Sequence, residues 1–388
     1  MKTVITAATL YTPTEQIDSP VVVVEDGRVL SLGSLERTEL PAGARRLDFP
    51  GMVLAPGFID IHIHGSAGHD VMEAEPSALA AIETAMARTG VTSYLATTVT
   101  APEDRLLHAL EHLGKAAKKN REQSNRAVPL GIHLEGPFIS HAKCGVHPPE
   151  NLVQPSPQLF DKFWQASDGN IKMMTIAPEV PGALETIRHA RTLGVCSSLG
   201  HSDATYEEAM HGISAGATHA THTFNAMRAF DHREPGILGA VLTDDAITAD
   251  IIADGIHVAP ATLKLFLAAK GPERAILITD AISATGMPAG RYRLGTLDVD
   301  VKDGRCEYQG KLAGSVLTLD RAVRNVMNFA SWPLANAVRM ATLNPAKLLG
   351  LSSERGNLTP SCIADMVVLT PAGEVVKTII AGQEVLST

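Results

Sequence analysis

Eight short apolar runs repeat along the middle of the chain, each followed by polar residues and usually by a helical stretch. They read VLAPGFIDIHIHG, VTSYLATTV, VPLGIHLEGP, IKMMTIAPE, VCSSLGHSD, THATHTFNAM, ITADIIADGIHV and AILITDAI. Between them lie helical segments such as PSALAAIETAMART, closed by Gly90, and ALETIRHARTL, closed by Gly194. Glycine is the favoured residue just past a helix end. Strand and helix alternating eight times predicts a closed parallel (β/α)₈ barrel of the TIM type. An open doubly wound sheet is the competing α/β arrangement, but no GxGxxG turn follows the first run. The length of 388 residues suits a barrel with a small accessory module.

Both ends of the chain read differently. Residues 1–55 look like short strands and turns, with a Glu-Asp-Gly turn inside VVVVEDGRVL, and residues 356–388 carry ADMVVLT and EVVKTIIAGQEV as strands. The expectation is a small β-sandwich domain built from both termini around a barrel at 56–355. Residues 291–310 break the alternation and predict a β-hairpin inserted between the eighth strand and its helix. A long final helical region is expected over 317–349.

Composition narrows the function. Hydrophobic residues make up 45% and charged residues 19%, enough for an ample core. A net charge of −9 argues against nucleic acid or an anionic membrane surface as partner. A phosphorylated substrate would need a local cluster of donors. The opening MKTVITAATLYTPTEQ has no uninterrupted apolar stretch of signal-peptide type, and no window approaches the ~20 apolar residues of a membrane span. Cys144, Cys196, Cys306 and Cys362 form no CxxC pair. Free thiols and a cytoplasmic location are the simplest reading.

In a barrel, chemistry sits at the C-terminal ends of the strands. Six of the eight runs end in histidine or carboxylate: His62 and His64, His133 and Glu135, His201, His219 and His222, His257, and Asp280. Packing does not explain that distribution. His62 and His64 are two apart, so on a strand they share a face and can share one metal ion. An HxH alone is weak; after PGFID on the first strand it gains force. Glu135 ends an apolar strand, where a salt-bridged structural carboxylate competes with a metal ligand. With Glu135, His201 and His222 can hold one ion. His219 competes with His222; three residues apart, they face opposite sides of an extended strand, and His222 is preferred because it lies nearer the loop. His219 then reads as a packing residue, and His133 as a support one layer deeper. Asp280 suits a general base, with a helix N-cap as the bland alternative.

The longer motifs PGFIDIHIHG, GIHLEGPF, KCGVHPPEN, LGHSDA, THTFNAM, HREPG, IIADGIHV, LITDAI and LAGSVLTLD resemble the amidohydrolase superfamily, and within it the N-acetylglucosamine-6-phosphate deacetylase family, over essentially the whole chain. That resemblance implies hydrolysis of the N-acetyl group of N-acetylglucosamine 6-phosphate, in amino-sugar catabolism or cell-wall recycling. Glu135, His201 and His222 would hold the principal divalent metal, and His62 and His64 a second ion touching Asp280. Asp280 would be the acid/base, and His147 would polarise the amide carbonyl. His257 would contact the sugar, and the backbone at Asn225 and Ala226 would hold the phosphate with Arg233, which in the family can come from the neighbouring subunit of a homodimer. Arg228 ranks below Arg233 because it lies outside HREPG. Zn²⁺ is the first choice of ion, with Fe²⁺, Co²⁺ and Mn²⁺ suited to the same ligands. Cys144 reads as an inert loop thiol. Among rivals, cyclic-amide hydrolases bring a carboxylated Lys that no strand end here supplies, N-acyl-amino-acid hydrolases would lack the phosphate set, and a non-catalytic descendant would have lost ligands.

Overall fold

The computed structural model describes residues 2–12, 15–118 and 125–386; residues 1, 387 and 388, at the ends of the two terminal ranges, lie outside it. Each of the eight runs supplies one barrel strand: β1 (Phe58–Ile63), β2 (Val91–Thr98), β3 (Val128–Glu135), β4 (Ile171–Ile176), β5 (Cys196–Leu199), β6 (His219–Ala220), β7 (Thr248–Ile252) and β8 (Ala275–Ile278), while the start of the first run, VLAP, ends the strand Arg45–Pro56 of the other sheet. Each pairs in parallel with the next. The ring closes between its first and last members. Ile63 bridges Ala281 in parallel, and the backbone N–H of Asp280 donates to the His62 carbonyl at 2.9 Å. This closing seam therefore joins two residues expected at the site.

The strands are buried on both faces, as parallel strands covered by crossover helices must be. The helices lay one apolar stripe on them, for example Ile82 and Met86 of Pro76–Arg88, and Leu106, Leu110 and Leu113 of Glu103–Lys118. Pro76, Pro157 and Pro260 open their helices, where a missing N–H removes no hydrogen bond. None of the helices among the described residues is long and apolar enough to cross a membrane.

The second, β-rich unit is one eight-stranded sheet built from both termini. Its central strand, Lys2–Tyr11, pairs in parallel with Arg45–Pro56 and antiparallel with Pro20–Glu25. The C-terminal strand Met366–Leu369 joins the far edge of Arg45–Pro56. Ile5, Leu10, Leu54, Met366 and Val368 share its main core. The turn in VVVVEDGRVL is formed by Asp26 and Gly27, both at positive φ, as the right-handed twist of a tight hairpin requires. The segment EVVKTIIAGQEV differs from expectation. It is two strands, Val375–Ile380 and Gln383–Glu384, reversed at Ala381 and Gly382, which are also at positive φ.

Two further differences lie near the site. The insertion is a four-stranded antiparallel meander, Gly290–Leu294, Leu297–Lys302, Arg305–Tyr308 and Lys311–Leu312, larger than a single hairpin. Its inward residues Leu294, Val299, Val301 and Cys306 form a core with Val99 and Ile282, so it is fastened to the barrel mouth. The final helical region is three helices, Leu319–Ala330, Leu334–Met340 and Leu343–Leu348. Ser331 in the left-handed region and Pro333, with its fixed φ and missing N–H, end the first of them.

Candidate active site

The strand ends bring six of the expected side chains together, and the loop after β3 adds His147. Glu135, the last residue of β3, is central: Oε1 lies 3.1 Å from His222 Nε2, 3.3 Å from His201 Nε2 and 3.4 Å from His62 Nε2. Its Oε2 lies 3.2 Å from His64 Nε2 and 3.6 Å from His147 Nε2. Asp280 Oδ1 closes the far side, 3.1 Å from His64 Nε2 and 3.4 Å from His62 Nε2. All of these residues are buried.

The backbone is strained where the ligands leave their strands. His201, His222 and Asp280 all have positive φ, at 47°, 30° and 50°, which non-glycine residues avoid. Surrounding bonds hold them there. Ser140 N–H donates to the His201 carbonyl at 2.9 Å, Asn225 N–H to that of His222 at 2.9 Å, and Ser315 N–H to that of Asp280 at 2.7 Å. Three side chains turned sharply over the barrel mouth are the outcome.

The donor set fits a cation. His201 Nδ1 lies 2.9 Å from the Lys143 carbonyl oxygen, and His64 Nδ1 lies 3.0 Å from that of Thr97. A carbonyl accepts only, so each Nδ1 carries a proton and donates it. The Nε2 lone pair of a neutral ring then faces the centre. There, His201 Nε2 and His222 Nε2 are 3.1 Å apart, and His62 Nε2 and His64 Nε2 are 3.2 Å apart. Converging imidazole lone pairs and carboxylate oxygens, shut away from water, need a positive charge among them. Two groups place one nitrogen or carboxylate oxygen each within 4.8 Å of one another: His62, His64 and Asp280, and Glu135, His147 and His201. The chain therefore carries a site for a divalent metal.

Ionisation follows from the same crowding. Burial alone would raise the Glu135 carboxyl, but the charge of His62 and the polar contacts with His147, His201 and His222 outweigh it and hold it well below the usual range. Burial would likewise raise Asp280, and His62 and His64 bring it down to about 2. Burial would depress His64, yet Asp280 and Glu135 hold it well above the ordinary imidazole value. Burial pushes His147 down to about 4. Its Nδ1 accepts the Thr100 backbone N–H at 3.3 Å, so the single proton of the neutral ring sits on Nε2, facing the centre. Gly136 makes room for this pair: a Cβ there would fall 2.1 Å from Thr100 Oγ1.

A cavity of about 220 Å³ opens over this cluster, with His257, Asn225 and Ala226 on one side and Val99, Leu294 and Leu312 on the other. His222, Phe224 and Ala226 have positive φ at every second residue. Within this segment the Thr223 N–H donates to the Asp250 carbonyl at 3.0 Å and the Asn225 N–H to that of His222, so the kinked backbone carries Asn225 and Ala226 to the cavity wall. His257 Nδ1 lies 2.7 Å from Asp254 Oδ2. Arg233 is not brought in: it is exposed and does not line the cavity. Arg228 is engaged elsewhere, with Nε donating to the Asp203 carbonyl at 2.7 Å.

Several supporting residues escaped the sequence reading. Asp250, buried in β7, accepts the His222 backbone N–H on one oxygen and lies 2.9 Å from His219 Nε2 on the other. His219 thus clamps Asp250, a more specific task than packing. His133 places Nε2 2.7 Å from Thr175 Oγ1 and its ring edge-on to His62 at 4.6 Å. The usable signal for Asp250 was an acidic residue inside the run ITADIIA, whose neighbours at 249 and 251–253 are apolar. Asp254 and Thr100 carried no such signal, since polar residues in loops are ordinary. Cys144 is half-buried and lines a neighbouring cavity.

Residues 53–385 match the Amidohydrolase family. The chain is 39% identical over 357 residues to the N-acetylglucosamine-6-phosphate deacetylase of Lysinibacillus sphaericus, covering 92% of this chain and 89% of that one. It is 36% identical over 384 residues to the N-acetylgalactosamine-6-phosphate deacetylase of Escherichia coli O157:H7, covering 99% of each. Among solved structures it is similar to an aspartate-to-alanine variant of the Mycobacterium smegmatis N-acetyl-D-glucosamine-6-phosphate deacetylase in complex with N-acetyl-D-glucosamine-6-phosphate. The TM-score is 0.93 at 36% identity, covering 100% of both chains.

Proposed function

The chain belongs to the amidohydrolase family and, within it, to the N-acetylglucosamine-6-phosphate deacetylases, and from that membership we propose the following working of its site. The chain hydrolyses the acetamide of N-acetylglucosamine 6-phosphate, giving glucosamine 6-phosphate and acetate. The observation that carries this reading is the meeting of Glu135, His201, His222, His62, His64 and Asp280 beside a cavity lined by Asn225, Ala226 and His257.

Glu135, His201 and His222 hold one divalent ion, with Zn²⁺ the preferred metal, and His62, His64 and Asp280 border a second. Such an ion supplies Lewis acidity, polarising the acetyl carbonyl and lowering the pKa of water. Asp280, ionised at neutral pH, accepts a proton from the attacking water and returns it to the departing nitrogen. His147 donates its Nε2 proton to the carbonyl oxygen as negative charge gathers there. The backbone at Asn225 and Ala226 receives the phosphate, and His257, held by Asp254, offers Nε2 to a sugar hydroxyl. Phosphate binding distant from the amide orients the sugar and contributes to catalysis. The exposed Arg233 reaches the phosphate of a second copy, which makes the working form a homodimer. Residues 1–55 and 356–388 act as one folding unit beside the barrel.

The test is acetate release by metal-loaded protein from N-acetylglucosamine 6-phosphate, from the unphosphorylated sugar and from its 4-epimeric 6-phosphate. Release from the first far above the second is expected. Equal rates from those two would remove the phosphate site, faster release from the epimer would reassign the sugar, and no release from any would remove the deacetylase reading.

A further inference from the structure

Beside the catalytic cavity lies a second, of about 540 Å³. The two share six wall residues: Gly145, Val146, His147 and Pro148 from the loop after β3, and Thr296 and Leu297 from the first turn of the inserted meander. Beyond this wall, Pro102 and Pro149 give the outer cavity apolar surface beside the polar Tyr308, Gln309 and Lys311.

The position of the wall relative to the scissile bond follows from the barrel. Asn225, Ala226 and His257 stand after β6 and β7. Val99 and Val146 stand after β2 and β3, on the opposite side of the ring. With the phosphate at the first group and the carbonyl over Glu135, the acyl carbon chain points at the second. The surface that it meets there is apolar, made by Val99, Val146, Leu294, Leu297 and Leu312. An acetyl methyl is matched by such a surface; a longer chain would run into it.

That wall is fixed in place. The turn joining Leu294 to Leu297 is pinned by Asp70, whose Oδ2 accepts the Gly295 N–H at 2.8 Å. Gly295 sits at φ 57°, and a Cβ there would fall 2.4 Å from Val99 Cγ2, so the turn already touches the barrel mouth. Ser283 Oγ donates to the Arg293 carbonyl one residue before Leu294. A wall held at three points sets a length limit instead of yielding to a larger group.

We propose that Val146 and Leu297 form a partition that sets the permitted length of the N-acyl group, and that the outer cavity receives a longer acyl tail once the partition is shortened. The inference rests on the deacetylase reading. The chemistry is the same amide hydrolysis: the C–N bond breaks, water supplies oxygen to the acyl carbon, and a proton passes to the amine nitrogen.

The test compares kcat/KM of metal-loaded wild type, Leu297→Ala, Val146→Ala and Leu312→Ala on the N-acetyl, N-butanoyl and N-hexanoyl forms of glucosamine 6-phosphate. Leu312 lines the catalytic cavity and not the outer one, so its truncation enlarges the first without joining the two. Each unaccommodated methylene in an apolar pocket costs roughly 10-fold or more in kcat/KM. The hexanoyl-to-acetyl ratio is therefore expected to rise at least ~10-fold in Leu297→Ala and Val146→Ala but not in Leu312→Ala. An unchanged ratio in both partition variants overturns the inference, as does an equal rise in all three. Leu297→Val and the separate element carrying Val146 keep the comparison meaningful should Leu297→Ala fail to fold. If wild type releases acetate normally, a negative result sinks only the partition; if it releases none, the deacetylase reading itself fails.

Discussion

Asp254 grips His257 twice, accepting its ring Nδ1 proton at 2.7 Å and its backbone N–H at 2.8 Å. Burial would raise the Asp254 carboxyl, yet the His257 bond outweighs it and keeps the group below its ordinary value, so it stays an acceptor. Nε2 of His257 is thereby left with a lone pair toward the cavity. Charge-assisted bonds of this kind contribute about 1.5–3 kcal/mol. Asp254→Ala is expected to raise KM for the phosphorylated sugar roughly 10- to 100-fold while changing kcat far less. Steady-state kinetics decide it. A collapse of kcat at constant KM would place His257 on the reacting bond.

His147 is predicted to act as a neutral donor. Its pKa of about 4 leaves it uncharged from about pH 5 upward, with the proton on Nε2 because Nδ1 is taken by the Thr100 N–H. Loss of a donor aimed at a developing oxyanion costs about 10²- to 10³-fold in kcat. His147→Ala should show that loss with metal content unchanged by elemental analysis, and the acid limb of the wild-type pH profile should lie elsewhere than in this ring. Loss of metal in parallel with activity would make His147 a ligand.

The barrel was legible because each of the eight apolar runs supplies one buried barrel strand. Glu135, His201, His222 and Asp280 were legible for a related reason: the strand end is where a barrel presents side chains. Neither argument reaches residues that act through another residue. Asp250 holds His222 by its backbone and Thr100 holds His147 by its ring, and such pairings depend on which strands become neighbours, not on spacing along the chain. The insertion was read as a local hairpin because turn residues mark reversals but do not show that Leu294 and Leu297 fold back over the mouth. Arg233 was placed by its motif, and within one chain it stays outside the cavity.

Removing His62 and His64 tests how many ions the cluster holds. Glu135, His201 and His222 converge independently of β1, so the paired alanine variant should lose at most one ion per chain. His64, held protonated well above the ordinary value between Asp280 and Glu135, must give up a proton before Nε2 can bind metal. Metal affinity in wild type should therefore fall as pH is lowered, and more steeply than in the variant. Titration calorimetry in two buffers of different protonation enthalpy counts the protons. Loss of all metal from the variant would show that the two positions form one inseparable site.

Asp60 links the seam of the barrel to the site and should make stability depend on pH. It is fully buried in β1, Oδ2 accepts the Thr279 hydroxyl at 2.6 Å, and Oδ1 accepts the His62 N–H at 3.2 Å. Burial, only partly offset by these bonds, raises it from 3.8 to about 6. The folded chain then holds this proton more tightly than the unfolded chain, so its contribution is fully present below about pH 4 and is lost as pH rises toward and through 6. A shift of that size corresponds to about 3 kcal/mol. Asp60→Asn keeps an acceptor for the N–H groups of His62 and Thr279, which both donate to Oδ1, without a titrating proton. Its stability relative to wild type should improve by about 2 kcal/mol between pH 4.5 and 7.5, measured by urea unfolding of the metal-free proteins. A difference that stays constant over that range would mean that Asp60 titrates alike in the folded and unfolded chains.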